Sequence, residues 1–569
     1  MKIKNIFKNV AAAGACTLMM TGCASDYLDT PVHGIVDAKA ICSTTDNARA
    51  AGMTLYQSMF RMSENLAQFQ AYIQGELGLG YYIGEMPGQD MFINFINDGI
   101  GSSWNIYYNQ ENGYINSGDY VWNRPMWLYC YANIAQANEI LHYIDDAEGD
   151  EATRLLTKAQ VYTMRAHLYF RLLQVYAPRW EDSNNGEKLS SVVLRTGIEE
   201  QDAKEVAPMK DVLALIYSDL DDAIKLFEQV GKFTRQTYYE PTLNVAYGVY
   251  ARVAALKHDW EKCREMAHNA RQGYRPATTK EAMSGYMAVN PNDWMWAPSF
   301  NQDVNAIYGN WNTFHCCNTI GANSNRYTNS IEISLYRQIP ETDARRDWWM
   351  TVDKLTGVNE ALAYNTRMVD QSNINWTGAP LLRAARTWLD EHQAKYEIPG
   401  SKAYSGETST CVIRNGAQVK FWADGDTGEK QMCQYPFMRA TEMYLYEAEA
   451  CAELGLTTDA QALLEAVNTP HNPTYKCTAS GQALIDEVRL YRRIELWGEG
   501  FNWFDFKRWN IPVKRMAWVA GDVNSGNTVP GLDVEIPTTR NNGWRHGVPV
   551  GERRYNTAIT TPIPGEVLN

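Results

Sequence analysis

Beyond its N-terminal segment the sequence contains no run of about 20 apolar residues, which excludes a membrane-spanning helix in the processed chain. It also lacks a glycine-rich phosphate loop, a nucleophile elbow and a His-Glu-x-x-His pair, so three common routes to catalysis have no foothold. Basic charge is in deficit: 52 Lys and Arg stand against 66 Asp and Glu, a net charge of −14 over 569 residues. Nucleic acid needs a basic surface and is not an expected partner, and an acidic surface suits neutral ligands better than anionic ones. A disulfide framework is missing as well. Of 11 cysteines, Cys16 and Cys23 belong to the N-terminal segment, and the remaining nine are scattered and odd in number.

Two sharper patterns fall short of metal sites. His315-Cys316-Cys317 has ligand chemistry but no second pair at finger spacing. Asp424-x-Asp426-x-Gly428 lacks the third oxygen ligand and distal glutamate of a calcium loop and reads as a hairpin turn instead. No metal or cofactor is expected.

Aromatics are well supplied, with 18 Trp, 34 Tyr and 15 Phe. Most should fill helix–helix interfaces. The N-terminus reads as a processing segment: Lys2, Lys4 and Lys8 precede a short apolar run at 10–20, then Thr21-Gly22-Cys23. This resembles a bacterial lipoprotein cleavage box, with Met20 where leucine is commoner. It implies a signal peptide at 1–22, cleavage before Cys23 and acylation of Cys23, with several chains giving a stable anchor.

Helical spacing of apolar residues is clear at 126–144, 156–176, 212–227, 243–257 and 260–272. Asp211 is placed to cap the third of these, and Pro178 stops the second. Small alanines alternate with bulky aromatics, as tight helix-on-helix packing requires. The last two helices, joined at His258-Asp259, resemble a degenerate tetratricopeptide pair. From 290 to 435 Gly, Asn, Thr and Trp are frequent and long helices scarce, and 418–434 reads as a hairpin. Helices return at 437–454, closed by Gly455, and at 482–497. The expected fold is mainly α: degenerate tetratricopeptide-repeat helix pairs, an irregular loop-rich region and short β-hairpins. Helices dominate 23–289 and the irregular part falls within 290–569.

Arg492-Arg493-Ile494-Glu495-Leu496, followed by Glu499-Gly500 and Asp505-Phe506-Lys507-Arg508-Trp509, strongly resembles the C-terminal signature of the SusD/RagB family. Weaker resemblances keep the family's chain order: Asp26 to Pro31 after the anchor, Trp127 with Asn133 and Asn138, Arg165-Ala166 with Tyr169-Phe170, the helix at 437–450 and a closing Pro562-Ile563-Pro564. Physically, Arg492, Arg493, Glu495, Glu499, Asp505 and Arg508 are charges set among Trp497, Phe501, Trp503, Phe504 and Trp509. Such charges are tolerated only when paired, so a structural ion network is expected here in preference to a catalytic cluster.

The resemblance implies glycan binding on an exposed surface, and a partner, a TonB-dependent outer-membrane barrel related to SusC. The family's ligand residues vary, so candidates follow from composition. Windows 80–120 and 294–327 interleave aromatics for sugar stacking with amides and carboxylates for hydroxyls. Asp90, Trp104, Tyr108, Tyr308 and Trp311 are the chosen ligand candidates. Peptide capture on a basic, amide-lined groove and glycoside hydrolysis by two carboxylates roughly 5–9.5 Å apart stand as alternatives.

Overall fold

The computed structural model describes residues 38–61, 75–93, 123–198, 203–299, 315–317, 329–357, 380–398, 415–422, 433–528, 533–539 and 541–559. Helices carry the body. Helix α1, Thr45–Gln57, opens on Thr44, whose side chain accepts from Asn47 N. Helix α2, Asn123–Tyr143, packs on α3, Glu151–Tyr176, which is capped by Asp150 and ends just before Pro178.

Helix α4, Met209–Val230, lies against α3 through Val212, Leu213, Ile216, Leu220, Ala223 and Phe227. Its three-and-four spacing puts these on one face, and burying each large apolar side chain contributes about 1.5–3 kcal/mol. Asp211 is a first-turn residue here and not the cap, because the helix already starts at Met209 after Pro208. A buried ion pair crosses the α3–α4 seam, with Arg165 Nη2 2.6 Å from Asp219 Oδ1.

Helices α5, Leu243–Leu256, and α6, Trp260–Ala270, form the expected antiparallel pair. His258 turns the chain with φ +57°, and Asp259 caps α6. A helix that the sequence reading missed follows, α7, Pro380–Lys395. Helix α8, Ala440–Glu453, packs on α6 and on α9, Thr457–Asn468. Gly455, at φ +74°, lets the chain turn between α8 and α9. Helix α10, Gln482–Glu495, then leads through a glycine-bearing turn into α11, Asn502–Arg508.

Strands are short. Six of them frame the interior site, in chain order β1 Met91–Ile93, β2 Trp294–Trp296, β3 Asn329–Ile331, β4 Trp349–Met350, β5 Ala417–Gln418 and β6 Met438–Arg439. Strands β1, β3, β5 and β4 form one antiparallel sheet in that spatial order, and β2 pairs with β6. The hairpin expected at 418–434 is not what β5 makes. Gln418 pairs with Trp349 of β4, and Ala417 pairs with Ser330 of β3 and Met350 of β4, while 423–432 lie outside the described residues. The physical reason is that Ala417, Gln418 and Val419 are all buried, so this strand sits inside a sheet and not at an exposed edge. Among the described residues no helix is long and apolar enough to cross a membrane.

Candidate functional site

The charged motif at the end of α10 lies in the interior, and Arg439, at the end of β6, is its hub. Its guanidinium reaches Asp293 Oδ2 at 2.9 Å, Glu495 Oε1 at 3.1 Å and Glu499 Oε1 at 2.8 Å. Glu495 also takes Arg345 Nη1 at 3.0 Å, and Arg345 is held by Asp343 at 2.7 Å. Lys420 Nζ donates to Glu499 Oε1 at 2.7 Å and to the Glu495 and Trp497 carbonyls. All these side chains are 2% exposed or less, so water cannot screen them. Burial alone would raise the Glu495 carboxyl, but Arg439, His471 and Arg345 hold it well below the usual carboxylate range.

A second set joins α8, α10 and α11. Asp505 accepts from Arg492 Nε at 2.7 Å and from Arg508 Nε at 2.9 Å. Arg508 forks onto Glu449 with bonds of 2.7 and 2.6 Å, and Trp509 Nε1 donates to the same carboxylate. Burial acts to raise Glu449, yet Arg508 and Arg492 hold it at about 2.

Glu495→Ala removes a ligand from both Arg345 and Arg439, and a loss of about 3–5 kcal/mol is expected. A melting curve that overlays the wild type would rule out this role.

The third set reaches back to the N-terminal part of the chain and corrects one sequence-based choice. Asp90, chosen as a ligand-binding residue, is fully buried and receives Arg493 through Nε at 2.9 Å and Nη2 at 2.6 Å. Asn502 Nδ2 donates to the same carboxylate, and Trp497 Nε1 donates to the Asp90 carbonyl. Asp90 has no surface left for a ligand, because Arg493 needs a buried counter-charge. Beside it, Glu85 Oε1 accepts from Gly500 N at 2.7 Å and Phe501 N at 2.9 Å. Gly84 and Gly500 meet so closely that a Cβ on Gly84 would lie 2.3 Å from the Gly500 oxygen, and Gly500 itself has φ +87°.

Sequence reasoning named both members of the Arg492–Asp505 and Arg508–Asp505 pairs, gave Asp90 a different role, and missed Arg345, Asp343, Arg439, Lys420, Asp293 and Glu449. Arg439 and Glu449 were within reach, since both lie in the motif-bearing helix segment at 437–450.

The aromatic windows divide. Tyr81, Tyr82, Trp294, Trp296 and His315 face inward. His315 bonds Gly498 O and Asn329, and burial pushes its pKa down to about 3. Trp104, Tyr108, Tyr308, Trp311 and the acylation candidate Cys23 lie outside the described residues. The sheet nonetheless relates the two windows. Ile93 pairs directly with Asn329 in antiparallel register, so the chain leaving β1 and the chain entering β3 do so at adjacent positions.

Comparison with known proteins agrees with this architecture. A family model described as the SusD family matches residues 256–564, and one described as starch-binding associating with outer membrane matches residues 51–254. Among solved structures, the chain is similar to a SusD-like carbohydrate binding protein from Bacteroides vulgatus, at 20% identity and TM-score 0.67, covering 91% of this chain and 98% of the other. A SusD superfamily protein from the same species gives 15% identity and TM-score 0.64, with 92% and 99% covered. Surface glycan-binding protein A from Bacteroides thetaiotaomicron, solved with laminarihexaose, gives 14% identity and TM-score 0.61, with 90% and 98% covered. Among curated protein sequences there is no significant match. The fold is thus shared at low identity, and because the first family model spans more than half of the sequence, the chain belongs to the SusD family.

Proposed function

We propose that this protein is a non-enzymatic lipoprotein of the outer-membrane surface, anchored through Cys23, that captures an oligosaccharide or polysaccharide and passes it to a SusC-like TonB-dependent transporter. Family membership supports the ligand class, as does the description of the model matching residues 51–254. The observation that carries the site assignment is the β1–β3 register. Ile93 opposite Asn329 sets a strand of the first window beside the strand that follows the second, and in this reading Trp104, Tyr108, Tyr308 and Trp311 share one ligand. Rigid support matters because stacking on sugar C–H faces is weak and is lost if the rings must first be ordered. The carboxylates of the signature do not compete as catalysts in this reading, since each is occupied by a buried cation.

An open, stacking-based site is expected to bind with millimolar to micromolar affinity, about −4 to −8 kcal/mol. Affinity gels containing plant, host and microbial glycans should retard the protein with at least one of them, and no new reducing ends should form. Combined replacement of Trp104 and Trp311 by alanine should abolish the retardation. Release of reducing ends, or retardation indifferent to those substitutions, would overturn the reading.

A further inference from the structure

Cys316, Cys317 and Cys433 are all buried, on two segments that lie far apart in the chain and together in the fold. Residues 315–317 are held against the stretch that follows β5. Gln418 Nε2 donates to the His315 carbonyl, and Cys317 N donates to the Phe421 carbonyl at 3.0 Å. Cys433 is held from the other side, where Gln434 N donates to the Tyr286 carbonyl at 2.9 Å and Trp422 N donates to the Gly285 carbonyl at 2.8 Å. The Tyr286 and Phe421 rings, with centroids 5.0 Å apart, tie these two anchorages to each other.

The two neighbouring cysteines pack into different clusters. Cys317 packs with Met350, Leu355 and Trp422, whereas Cys316 belongs to the main core together with Cys433. There the Cys316 thiol hydrogen-bonds the Cys433 thiol, and Cys433 Sγ in turn donates to the Tyr286 carbonyl at 3.3 Å and the Gln434 carbonyl at 3.1 Å. Two sulfurs already aimed at one another meet the first geometric demand of a disulfide. A metal does not claim them. The ring nitrogens of His315 are taken by the Gly498 carbonyl and Asn329, and among the described residues no three ligand-type side chains gather.

We infer that Cys316 and Cys433 form a disulfide in the exported protein. It is a single cross-link, compatible with scattered cysteines that rule out a framework. Its position gives it a purpose. Trp296 of β2 pairs with Met438 of β6, and Cys433 shortly precedes Met438. The segment between Trp296 and Cys316, which carries Tyr308 and Trp311, therefore leaves and returns beside the same short stretch, 433–438, and the bond fastens its return.

The cross-link depends on the proposed export only for its oxidant, a disulfide of a protein or of glutathione in an oxidising compartment. One cysteine thiolate attacks that disulfide, forming a mixed disulfide and expelling one oxidant thiol. The other cysteine thiolate then displaces the second, so two protons leave the cysteines and two electrons reduce the oxidant to thiols. Burial shuts out reagents and raises the Cys316 thiol well above its ordinary range, so the exchange belongs to folding, before these segments close.

Refolding of the full chain with oxidised or with reduced glutathione tests this, read by alkylation, tryptic digestion and mass spectrometry without reduction. The oxidised sample should yield the peptide holding Cys316 joined to the peptide holding Cys433, and the link should vanish on reduction. Cys317 shares the first peptide, so Cys317→Ser is run in parallel and should keep the link. The oxidised chain should melt about 4 °C above the reduced one, the effect of closing a loop of roughly 100 residues in a chain of this size, and Cys433→Ser should erase the difference. If Cys433→Ser fails to fold, the wild-type peptides still decide. No linked peptide in the oxidised sample, a link made through Cys317, or equal melting temperatures would overturn the assignment. The test supplies its own oxidant and does not read glycan retardation, so this inference and the proposed function fail separately.

Discussion

Arg439→Met is expected to lower stability by about 3–5 kcal/mol, the cost of breaking a buried pair, because Asp293 loses its cation while Glu495 keeps Arg345 and Glu499 keeps Lys420. Asp293, Glu495 and Glu499 all bond this one guanidinium, and the Glu495 carbonyl accepts from it too, but only Asp293 is left with no other ion pair among the described residues. Methionine fills much of the volume, so the loss reports charge and not a cavity. The pH dependence separates this from general damage. Stranded, buried carboxylates titrate above their unfolded values, so they favour the folded state when protonated and oppose it when ionised.

The deficit of the variant should therefore shrink as pH falls from 7 toward 4. The Glu449 contribution, common to both proteins, moves the other way and does so below this range. Glu449 is held at about 2, against 4.5 for an ordinary glutamate, so its stabilisation is full above 4.5 and is lost as pH falls through 2. Thermal melts of both proteins across this range give the comparison. A pH-independent deficit, or one below about 2 kcal/mol, the scale of an ordinary point substitution, would show that Arg439 is not the hub.

What could be read in advance depended on how far a residue's partner lies along the chain. Helix α4 was legible because Val212, Ile216, Leu220, Ala223 and Phe227 repeat at helical spacing, and that period survives any tertiary context. The α5–α6 pair was legible because His258-Asp259 is a local turn and cap. The charges of the C-terminal signature were legible as charges needing partners, but the partners were not. Asp90 is 403 residues from Arg493 and Arg439 is 56 from Glu495, and no local pattern encodes such pairings. Asp90 in particular sits in an aromatic, glycine-rich stretch, which is also how a ligand-facing carboxylate looks. Only the fold distinguishes an aspartate that meets a sugar from one that meets a buried arginine. The same limit explains β5: an alternating run beside Asp424-Gly425 reads as half a hairpin, whereas its pairing partners come from β3 and β4. Helix α7 was hidden because its surroundings, rich in Gly, Asn and Thr, outweighed a modest apolar face.

Glu85→Gln should make the protein more stable than wild type in mild alkali, with the advantage growing from pH 4.5 to about 8 and constant beyond. Burial raises the Glu85 carboxyl from the usual 4.5 to about 8, against the opposing pull of the Phe501 and Gly500 amides on Oε1. Oε2 has no partner among the described residues, so nothing there repays the cost of ionisation. Between pH 4.5 and 8 the folded chain keeps a proton that the unfolded chain has released. The stabilisation is full below 4.5 and drains away as pH rises to about 8. Glutamine retains the oxygen that accepts from Gly500 and Phe501 but cannot ionise. Every other titrating group cancels when variant and wild type are compared at the same pH. Their difference should grow by up to about 4–5 kcal/mol across the window, at 1.36 kcal/mol per pH unit. Denaturant unfolding at several pH values measures it directly. A difference that stays flat would mean that Glu85 ionises in the folded protein as readily as in water, and that the Gly84–Gly500 contact leaves it open to solvent.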